Sequence, residues 1–417
     1  MNFIDTYVKY ASQQTEASRL FHYYMAYQLA SIVVGRRCTV SYSDYGVGPN
    51  LWMVFVGPSS SAKKSSSWKI GVNLLEQHLR SQPLEKRLHI HNDGSYESWI
   101  EALDGMKNEA GEAQAYMVFD EYRSLHNWIT RDYASPLEAV FTTAFDQSTL
   151  RRRVGTRDKA KLYVIDKPCL NIVAATTVAW FNKSITEKQI LSGFIPRFNI
   201  IKGENSGTWI PRRPQPDLML RDTLLGQIKQ LSEAPVGDYT YTDKAGKLFD
   251  KWYIWMNEKM IPAFGEASTV APCAHRRIAD VHKYALLNAL VRGEANRKMN
   301  EEDLDKAIEE CVKPVLVATE EMISKEMAFD DYQERRLKVL QIIQTSSGSA
   351  GRAHRRDVMR LAKIDKLQFD RILESLEEEE AIKIEREKNS NGKLSLYYKI
   401  INDEDNARAA VADSQPD

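Results

Sequence analysis

The sequence lacks an excess of charge of either sign, because lysines plus arginines number 57 and aspartates plus glutamates also number 57. With a formal net charge of zero, no global field favours nucleic acid or an anionic membrane, so any basic surface must be local.

Disulfide signals are also missing. The four cysteines (Cys38, Cys169, Cys273 and Cys311) are widely spaced and form no Cys-x-x-Cys pair. This pattern is typical of thiols in a reducing compartment.

Long hydrophobic runs are absent as well. The longest apolar stretch, near residues 23–35, is interrupted by Gln28 and is too short to span a bilayer. The amino terminus has no basic region ahead of an apolar one, as a secretory signal would. We therefore expect a cytoplasmic protein with no membrane partner. Its 417 residues exceed what one hydrophobic core usually holds and predict two or three domains.

A phosphate-binding loop is predicted where the apolar run Leu51–Val56 meets a loop of small residues. A continuous apolar run is typical of a central parallel strand that is buried on both faces. Backbone N–H groups of the loop and of the following helix can then converge on phosphate. The alternative is a serine-rich turn that caps a helix. The candidate nucleotide-binding residues are Gly57, Pro58, Ser59, Ser60, Ser61, Ala62, Lys63, Lys64, Ser65 and Ser66.

Two lysines compete for the catalytic position in this loop. Matching G-x-x-x-x-G-K-[ST] from Gly57 makes Lys63 the lysine, with Ala62 in place of the second glycine. That register leaves Lys64 where a hydroxyl is needed. A loop longer by one residue makes Lys64 and Ser65 the working pair. We favour Lys64, because magnesium requires an oxygen ligand and Ser65 can supply one.

A Walker B pattern follows at residues 115–121, where an apolar strand ends in Asp120 and Glu121. Such a strand delivers Asp120 toward magnesium, and Glu121 can polarise the attacking water. With Ser65 and Asp120 as metal ligands, the two motifs predict hydrolysis of ATP with Mg²⁺. Lys64 and Glu121 are the predicted catalytic residues of this subunit.

Residues 149–165 predict a β-hairpin around Val154–Asp158, and the hairpin is crowded with positive charge. In a chain that is otherwise neutral, phosphates of nucleic acid are the natural partner. The alternative is a solvated hairpin whose basic residues guard its edges. The predicted DNA-binding residues are Arg151, Arg152, Arg153, Arg157, Lys159 and Lys161.

Two later segments carry candidate phosphate contacts. The apolar strand that starts at Leu170 ends in Thr176 and Thr177. Either threonine can hydrogen-bond a terminal phosphate, or Thr177 can cap the next helix.

Arg197 lies in an apolar, strand-like context and must find an anion. This anion is either an internal carboxylate or the γ-phosphate of a neighbouring subunit, in which case Arg197 is a catalytic arginine finger.

Two local patterns predict secondary structure rather than chemistry. The segments Thr39–Tyr45 and Leu51–Val56 flank a glycine-rich turn and predict a hairpin-like arrangement. Residues 88–91 alternate like a strand. We interpret its His89 and His91 as solvent-side residues, because no third metal ligand lies at a recognisable spacing.

The carboxyl-terminal region, residues 332–401, predicts three helices followed by a hairpin around Asn391–Gly392, which is the order of a winged helix. DNA binding is the obvious use of such a domain. However, the acidic run Glu377–Glu380 would repel phosphate, so docking of replication partner proteins is an equal alternative. The basic and polar residues near the predicted recognition helix and wing are Lys363, Lys366, Gln368, Arg371, Lys388 and Lys393.

Taken in this order, the motifs resemble those of AAA+ ATPases of the replicative-helicase kind. Minichromosome maintenance helicases also have alanine before the lysine of the loop, as Ala62 precedes Lys63 here, and an arginine-phenylalanine finger like Arg197-Phe198. The chain looks closer still to helicase-like ATPases of phages, plasmids and mobile elements. The resemblance covers about residues 45–325. By this likeness Arg276 or Arg277 would contact the nucleotide as a second sensor, with a plain surface arginine pair as the alternative.

The resemblance implies an α/β fold: an AAA+ P-loop core with a parallel sheet, an α-helical lid and a carboxyl-terminal winged-helix domain. The expected function is an ATP-driven motor on single-stranded or forked DNA, assembled as a homo-oligomeric, hexameric ring. The alternatives are a loader or switch ATPase that does not unwind DNA, and a non-hydrolysing DNA-binding scaffold. The expected segments are a helical lead-in (1–48), the core (49–205), the lid region (206–330), the winged helix (332–401) and a disordered tail (402–417).

Overall fold

The computed structural model describes residues 1–41, 46–80, 90, 95–130, 137–155, 160–212, 214–265, 268–324, 331–348, 351–378, 381–388 and 394–401. The chain divides into two compact units, Met1–Met327 and Ala328–Asp417. Several sequence predictions fall outside the described residues: those on His89, His91, Arg157, Lys159, Glu379, Glu380, the turn Asn391–Gly392, Lys393 and the tail 402–417.

The first unit alternates helices and strands. Its helices are α1 (Phe3–Ser12), α2 (Arg19–Val34), α3 (Lys64–Arg80), α4 (Tyr96–Asp104), α5 (Tyr122–Ile129), α6 (Leu137–Phe145), α7 (Val178–Ser184), α8 (Glu187–Leu191), α9 (Leu218–Ser232), α10 (Asp243–Trp255), α11 (Ala271–Arg292), α12 (Glu301–Lys306) and α13 (Lys313–Ser324). Its strands are β1 (Cys38–Val40), β2 (Trp52–Val56), β3 (Glu112–Phe119), β4 (Leu150–Val154), β5 (Lys161–Thr176), β6 (Phe198–Lys202), β7 (Gly237–Tyr241) and β8 (Lys298–Met299).

A parallel sheet in the order β3-β5-β2-β6 forms the centre of the first unit. All five residues of β2 are buried, because β5 and β6 flank the strand and helices cover the sheet. The prediction of a central, doubly buried parallel strand is thus confirmed. The beginning of β5 pairs with β4 in antiparallel fashion, which forms the hairpin predicted around residue 154.

A second, smaller sheet contains β1, β7 and β8. The register pairs Cys38 with Gly237 and Val40 with Tyr239 in parallel. Within the described residues of this segment, the predicted hairpin with β2 is wrong, because β2 pairs with β5 and β6 in the central sheet. An antiparallel bridge from Val40 to Val47 folds the segment back instead. Cys38 and Val40 are buried, so packing rather than local turn chemistry selects the partner of this short strand.

One hydrophobic core joins the amino-terminal helices, the sheet and the helices that follow it. Helix α2 is buried on almost every side. The hydroxyl of Tyr24 donates to the carbonyl of Cys311 at 2.7 Å, and the hydroxyl of Tyr27 donates to Asn288 at 2.6 Å. These bonds connect the amino-terminal helices to the region 271–324.

The second unit has its own core and contains α14 (Asp331–Ser346), β9 (Ala353–His354), α15 (Arg355–Ala362), α16 (Lys366–Glu378), β10 (Ile382–Lys388) and β11 (Leu394–Ile400). The three strands form an antiparallel sheet in the order β10-β11-β9. Arg355 crosses this unit, where it donates to the carboxylate of Asp370 at 2.5 Å and to the hydroxyl of Tyr398 at 2.9 Å. The three helices and the two final strands agree with the sequence prediction, which did not include β9.

Candidate nucleotide site and basic hairpin

A cleft lies at the carboxyl ends of β2, β3 and β5. The parallel register pairs Val56 with Thr176 and Phe119 with Ala174, so the segments after these strands meet at one edge of the sheet. This edge collects most of the predicted nucleotide-binding residues. The lining residues are Ser59, Ser60, Lys63, Lys64, Ser65, Ser66, Asp120, Glu121, Arg123, Ala175, Thr176, Thr177 and Trp180.

Lys64 closes the loop from its position as the first residue of α3. Its ammonium group donates to the carbonyls of Gly57 and Pro58, each at 2.8 Å. Burial lowers the pKa of Lys64, and the negative charge of Glu121 opposes this shift. Lys63 has a φ of 48°, a left-handed conformation, and also lines the cleft, but among the described residues no side-chain hydrogen bond joins it to the loop carbonyls. The geometry thus places Lys64, rather than Lys63, across the loop.

Ser65 and Asp120 meet in this cleft, and the hydroxyl of Ser65 hydrogen-bonds the carboxylate of Asp120. A hydroxyl and a carboxylate are hard oxygen ligands, which suit Mg²⁺. In the described part of the chain, no group of three His, Cys, Asp or Glu side chains could hold a metal. A cation between Ser65 and Asp120 would therefore keep several water ligands, as Mg²⁺ commonly does.

Gly57 is required by close packing rather than by an unusual φ. A Cβ atom at this position would lie 2.3 Å from the carbonyl oxygen of Gly203 and 3.0 Å from Cβ of Ala62. Ala62 itself is fully buried. The loop thus uses its smallest residues where it contacts the end of β6.

The two threonines at the end of β5 differ in their surroundings. Thr177 caps α7, because its hydroxyl accepts a hydrogen bond from the N–H of Trp180 at 3.3 Å. Thr176 lines the cleft, and its hydroxyl lies 3.4 Å from the carbonyl of Thr177. The capping alternative therefore describes Thr177, whose hydroxyl accepts in the cap and keeps its O–H donor, whereas the hydroxyl of Thr176 donates to the carbonyl of Thr177.

Arg197 and Arg276 share one carboxylate, that of Asp146, and neither arginine lines the cleft. Burial alone would raise the pKa of Asp146, but the hydrogen bond from Arg197 and the charge of Arg276 lower it. Both guanidinium groups also lie over the ring of Phe145, at 5.9 Å for Arg197 and 5.0 Å for Arg276. The internal-carboxylate alternative for Arg197 is thus present in the isolated subunit.

Arg277 is not a surface residue. Its side chain is 1% exposed and forms an ion pair with the buried Asp280 at 2.9 Å, and it also donates to the carbonyl of Pro196. The expectation of a surface arginine is therefore wrong for this position, and Arg277 does not line the cleft. The reason is that α11 packs with this face against the segment before β6, so the charge requires an internal partner.

Three residues that line the cleft were not among the predicted site residues: Ala175 of β5, Arg123 and Trp180. Arg123 is the second residue of α5, and Trp180 is the third residue of α7. Their guanidinium and indole groups stack, with 4.3 Å between the guanidinium carbon and the ring centroid. The available signal was their spacing: each follows a predicted site residue, Glu121 or Thr177, by two or three positions.

The strand pairing of the basic hairpin places its charges on two faces. Arg151 lies opposite Val164, and Arg153 lies opposite Leu162. Residues directly opposite each other share a face. Arg151 and Arg153 are exposed, and the side chain of Leu162 is 62% exposed. Within the described residues, no carboxylate forms an ion pair with either arginine of this face.

The other face of the hairpin contacts the rest of the protein. Arg152 lies opposite Tyr163, and its positive charge opposes the burial that raises the pKa of Tyr96. The hydroxyl of Tyr163 donates to Glu101 at 2.7 Å. Lys161 lies 3.8 Å from a carboxylate oxygen of Asp104 and 4.4 Å from the centroid of the Tyr163 ring. Of the four described basic residues, Arg152 and Lys161 thus interact within the protein.

Comparisons with known proteins give weak likenesses. No protein-family model matches the chain, and no curated protein matches it. A full-length MCM homolog from Methanopyrus kandleri is similar with 16% identity and a TM-score of 0.41, over 76% of this chain and 59% of that one. The ORC1 protein of Aeropyrum pernix, solved in complex with DNA, has 12% identity and a TM-score of 0.20, over 88% and 87%. Because both TM-scores lie below 0.5, neither likeness establishes a shared fold or function.

The chain spans 59% of the length of the MCM homolog. Among the helices that the structure describes, none has the length and apolar character needed to cross a membrane.

Proposed function

We propose that this chain is an ATP-hydrolysing DNA motor of the AAA+ class, of the kind found in helicase-like ATPases of phages and mobile elements. The convergence of Lys64, Ser65, Asp120 and Glu121 in one cleft carries the proposal. These residues come from two separate segments, and their meeting supports a phosphate-binding and hydrolysing role over a simple helix-capping turn. The described parallel sheet supplies the edge at which such sites form.

In this proposal, Lys64 leaves the carbonyls of Gly57 and Pro58 to bind the phosphates of ATP. Mg²⁺ held by Ser65 and Asp120 would neutralise charge on the β- and γ-phosphate oxygens. Glu121 accepts a proton from a water molecule whose oxygen bonds to the terminal phosphorus. The bond from that phosphorus to the bridging β-phosphate oxygen breaks, and ADP leaves with the electron pair of this bond. The products are ADP and inorganic phosphate.

Assembly into a ring, which we infer to be hexameric, would complete the site. Arg197 and Arg276 lie outside their own cleft and carry two positive charges around the single carboxylate of Asp146. The Nε atoms of both arginines are buried and have no hydrogen-bond partner among the described residues. This surplus of charge and donors supports binding of a neighbour's γ-phosphate by Arg197, with Arg276 beside it.

DNA is the proposed partner of the exposed hairpin face. Arg151 and Arg153 project beside Leu162, and local positive charge in a neutral chain favours phosphate. We also propose that the second unit is a winged helix that contacts DNA or a replication partner, which its three helices and antiparallel sheet support.

ATPase activity measured with and without single-stranded DNA tests the proposal, followed by strand displacement on a forked substrate. A DNA motor gives hydrolysis that DNA stimulates, together with displacement. Stimulated hydrolysis without displacement would favour the loader or switch. Binding of DNA with no hydrolysis under any condition would overturn the motor and leave the scaffold.

A further inference from the structure

The Arg123–Trp180 stack lines the cleft that also contains Lys64 and Glu121. Arg123 is exposed, and the indole of Trp180 is 43% exposed. Exposing the apolar indole of a tryptophan to water is unfavourable, and the cation that lies over the ring covers part of its face. The pair therefore requires an explanation other than core packing.

A buried aromatic contact between their sequence neighbours fixes the positions of Arg123 and Trp180. Tyr122, the neighbour of Arg123, packs against Phe181, the neighbour of Trp180, with 6.0 Å between ring centroids. Both of these rings are 1% exposed. This buried pair joins α5, which starts after Glu121, to α7, which starts after Thr177. This contact therefore fixes the positions of Arg123 and Trp180 relative to Glu121 and Thr177, the residues that precede the two helices.

The guanidinium of Arg123 keeps its hydrogen-bonding capacity. Stacking on an aromatic face uses the flat side of the group and leaves its N–H donors pointing outward in the plane. Across the residues that the structure describes, no carboxylate pairs with Arg123. A planar, rigid set of donors without an acceptor suits a bidentate contact with phosphate oxygens.

We propose that Arg123, positioned by Trp180, contacts the terminal phosphate of ATP bound in the same subunit. The inference rests on the proposed function. Glu121 must reach the water that attacks the terminal phosphorus, so this phosphate lies on the Glu121 side of Lys64 and Ser65. Arg123 follows Glu121 by two residues and lines the same cleft. The site thus uses an arginine of its own in addition to the arginine offered by a neighbour.

The test compares the affinities of full-length variants for ADP and for a non-hydrolysable ATP analogue, together with kcat and KM for ATP. In Arg123→Gln, we expect kcat to fall at least about tenfold and the preference for the ATP analogue over ADP to fall with it. Affinity for ADP should be unchanged, because ADP lacks the phosphate that Arg123 contacts. Arg123→Lys should recover part of kcat. Trp180→Ala should act like Arg123→Gln, and Trp180→Phe should retain the stack.

A matched control is Lys183→Gln. Lys183 is the other cation over the Trp180 ring, at 5.7 Å, but it does not line the cleft. The Lys183→Gln variant should retain wild-type kcat and KM for ATP. Wild-type kcat and nucleotide preference in a folded Arg123→Gln protein would overturn the inference while leaving the proposed function intact. Failure of the unaltered protein to bind ATP would overturn both, and it would be seen before any variant is made.

Discussion

The hydroxyl of Ser65 donates a hydrogen bond to the carboxylate of Asp120, although the two residues lie 55 positions apart in the chain. Ser65 is the second residue of α3 and Asp120 directly follows β3, so the contact exists only because the parallel register of β2, β5 and β3 aligns the carboxyl ends of these strands. Beside this pair, Lys64 and Glu121 lie in one cleft. Their roles can be separated by mutation.

Lys64→Ala should abolish ATP binding, whereas Glu121→Gln should bind ATP and hydrolyse it about 10²–10⁴-fold more slowly. Lysine neutralises phosphate charge in the ground state as well as in the transition state, and the glutamate acts only on water. Titration calorimetry and steady-state ATPase assays measure the two effects. Lys63→Ala is the control and should remain active. An inactive Lys63→Ala beside a functional Lys64→Ala would assign the catalytic role to Lys63.

Arg197→Ala should reduce hydrolysis by about 10³-fold or more if the side chain acts on a neighbour's γ-phosphate. Mixing Arg197→Ala with Glu121→Gln protein should restore part of the activity, because mixed rings contain some interfaces with both groups intact. Activity is followed as a function of the mixing ratio, with co-assembly checked by pull-down of a tagged subunit. Absence of rescue in co-assembled rings would indicate that the ion pair with Asp146 is the only role of Arg197.

Arg151→Gln with Arg153→Gln should weaken DNA binding more than Arg152→Gln with Lys161→Gln. Each double variant removes two positive charges, but only the first alters the face that carries Arg151, Arg153 and Leu162, since Lys161 and Arg152 interact within the protein. The log–log salt slope of binding should flatten by roughly 0.7 to 0.9 for each DNA phosphate that the variant no longer binds. Fluorescence anisotropy at several salt concentrations gives this slope. Equal slopes in the two variants would argue against the exposed face and favour the second unit as the DNA-binding element.

Gly57→Ala should destabilise the first unit by about 1–3 kcal/mol, because its Cβ would lie 2.3 Å from the carbonyl oxygen of Gly203. Gly226→Ala is the matched control. No heavy atom lies within 4 Å of a Cβ at Gly226, and alanine inside helix α9 should add about 0.5–1 kcal/mol. Urea unfolding compares the two. Equal stability of both variants would show that the loop can move away from β6 without cost.

Local chemistry was readable from the sequence wherever it depends on neighbours along the chain. The apolar run of β2 followed by Gly57 predicted a buried strand and a loop, and the structure has both. The three helices and the two final strands of residues 332–401 were predicted as well, because helical periodicity and strand alternation are properties of short windows, but the two-residue strand β9 was not. Thr177 was foreseen as one of two alternatives, a cap or a sensor, and its hydroxyl caps α7.

Only the tertiary structure decided which distant groups meet. Sequence could not assign Asp146 to Arg197 and Arg276, or Asp280 to Arg277, since a charged side chain gives no indication of which carboxylate will reach it. It also missed the pairing of β1 with β7, almost 200 residues away. The physical reason is the same in each case. Strand partners and buried ion pairs are selected by packing and by the cost of leaving a polar group unpaired, and both depend on the whole folded chain.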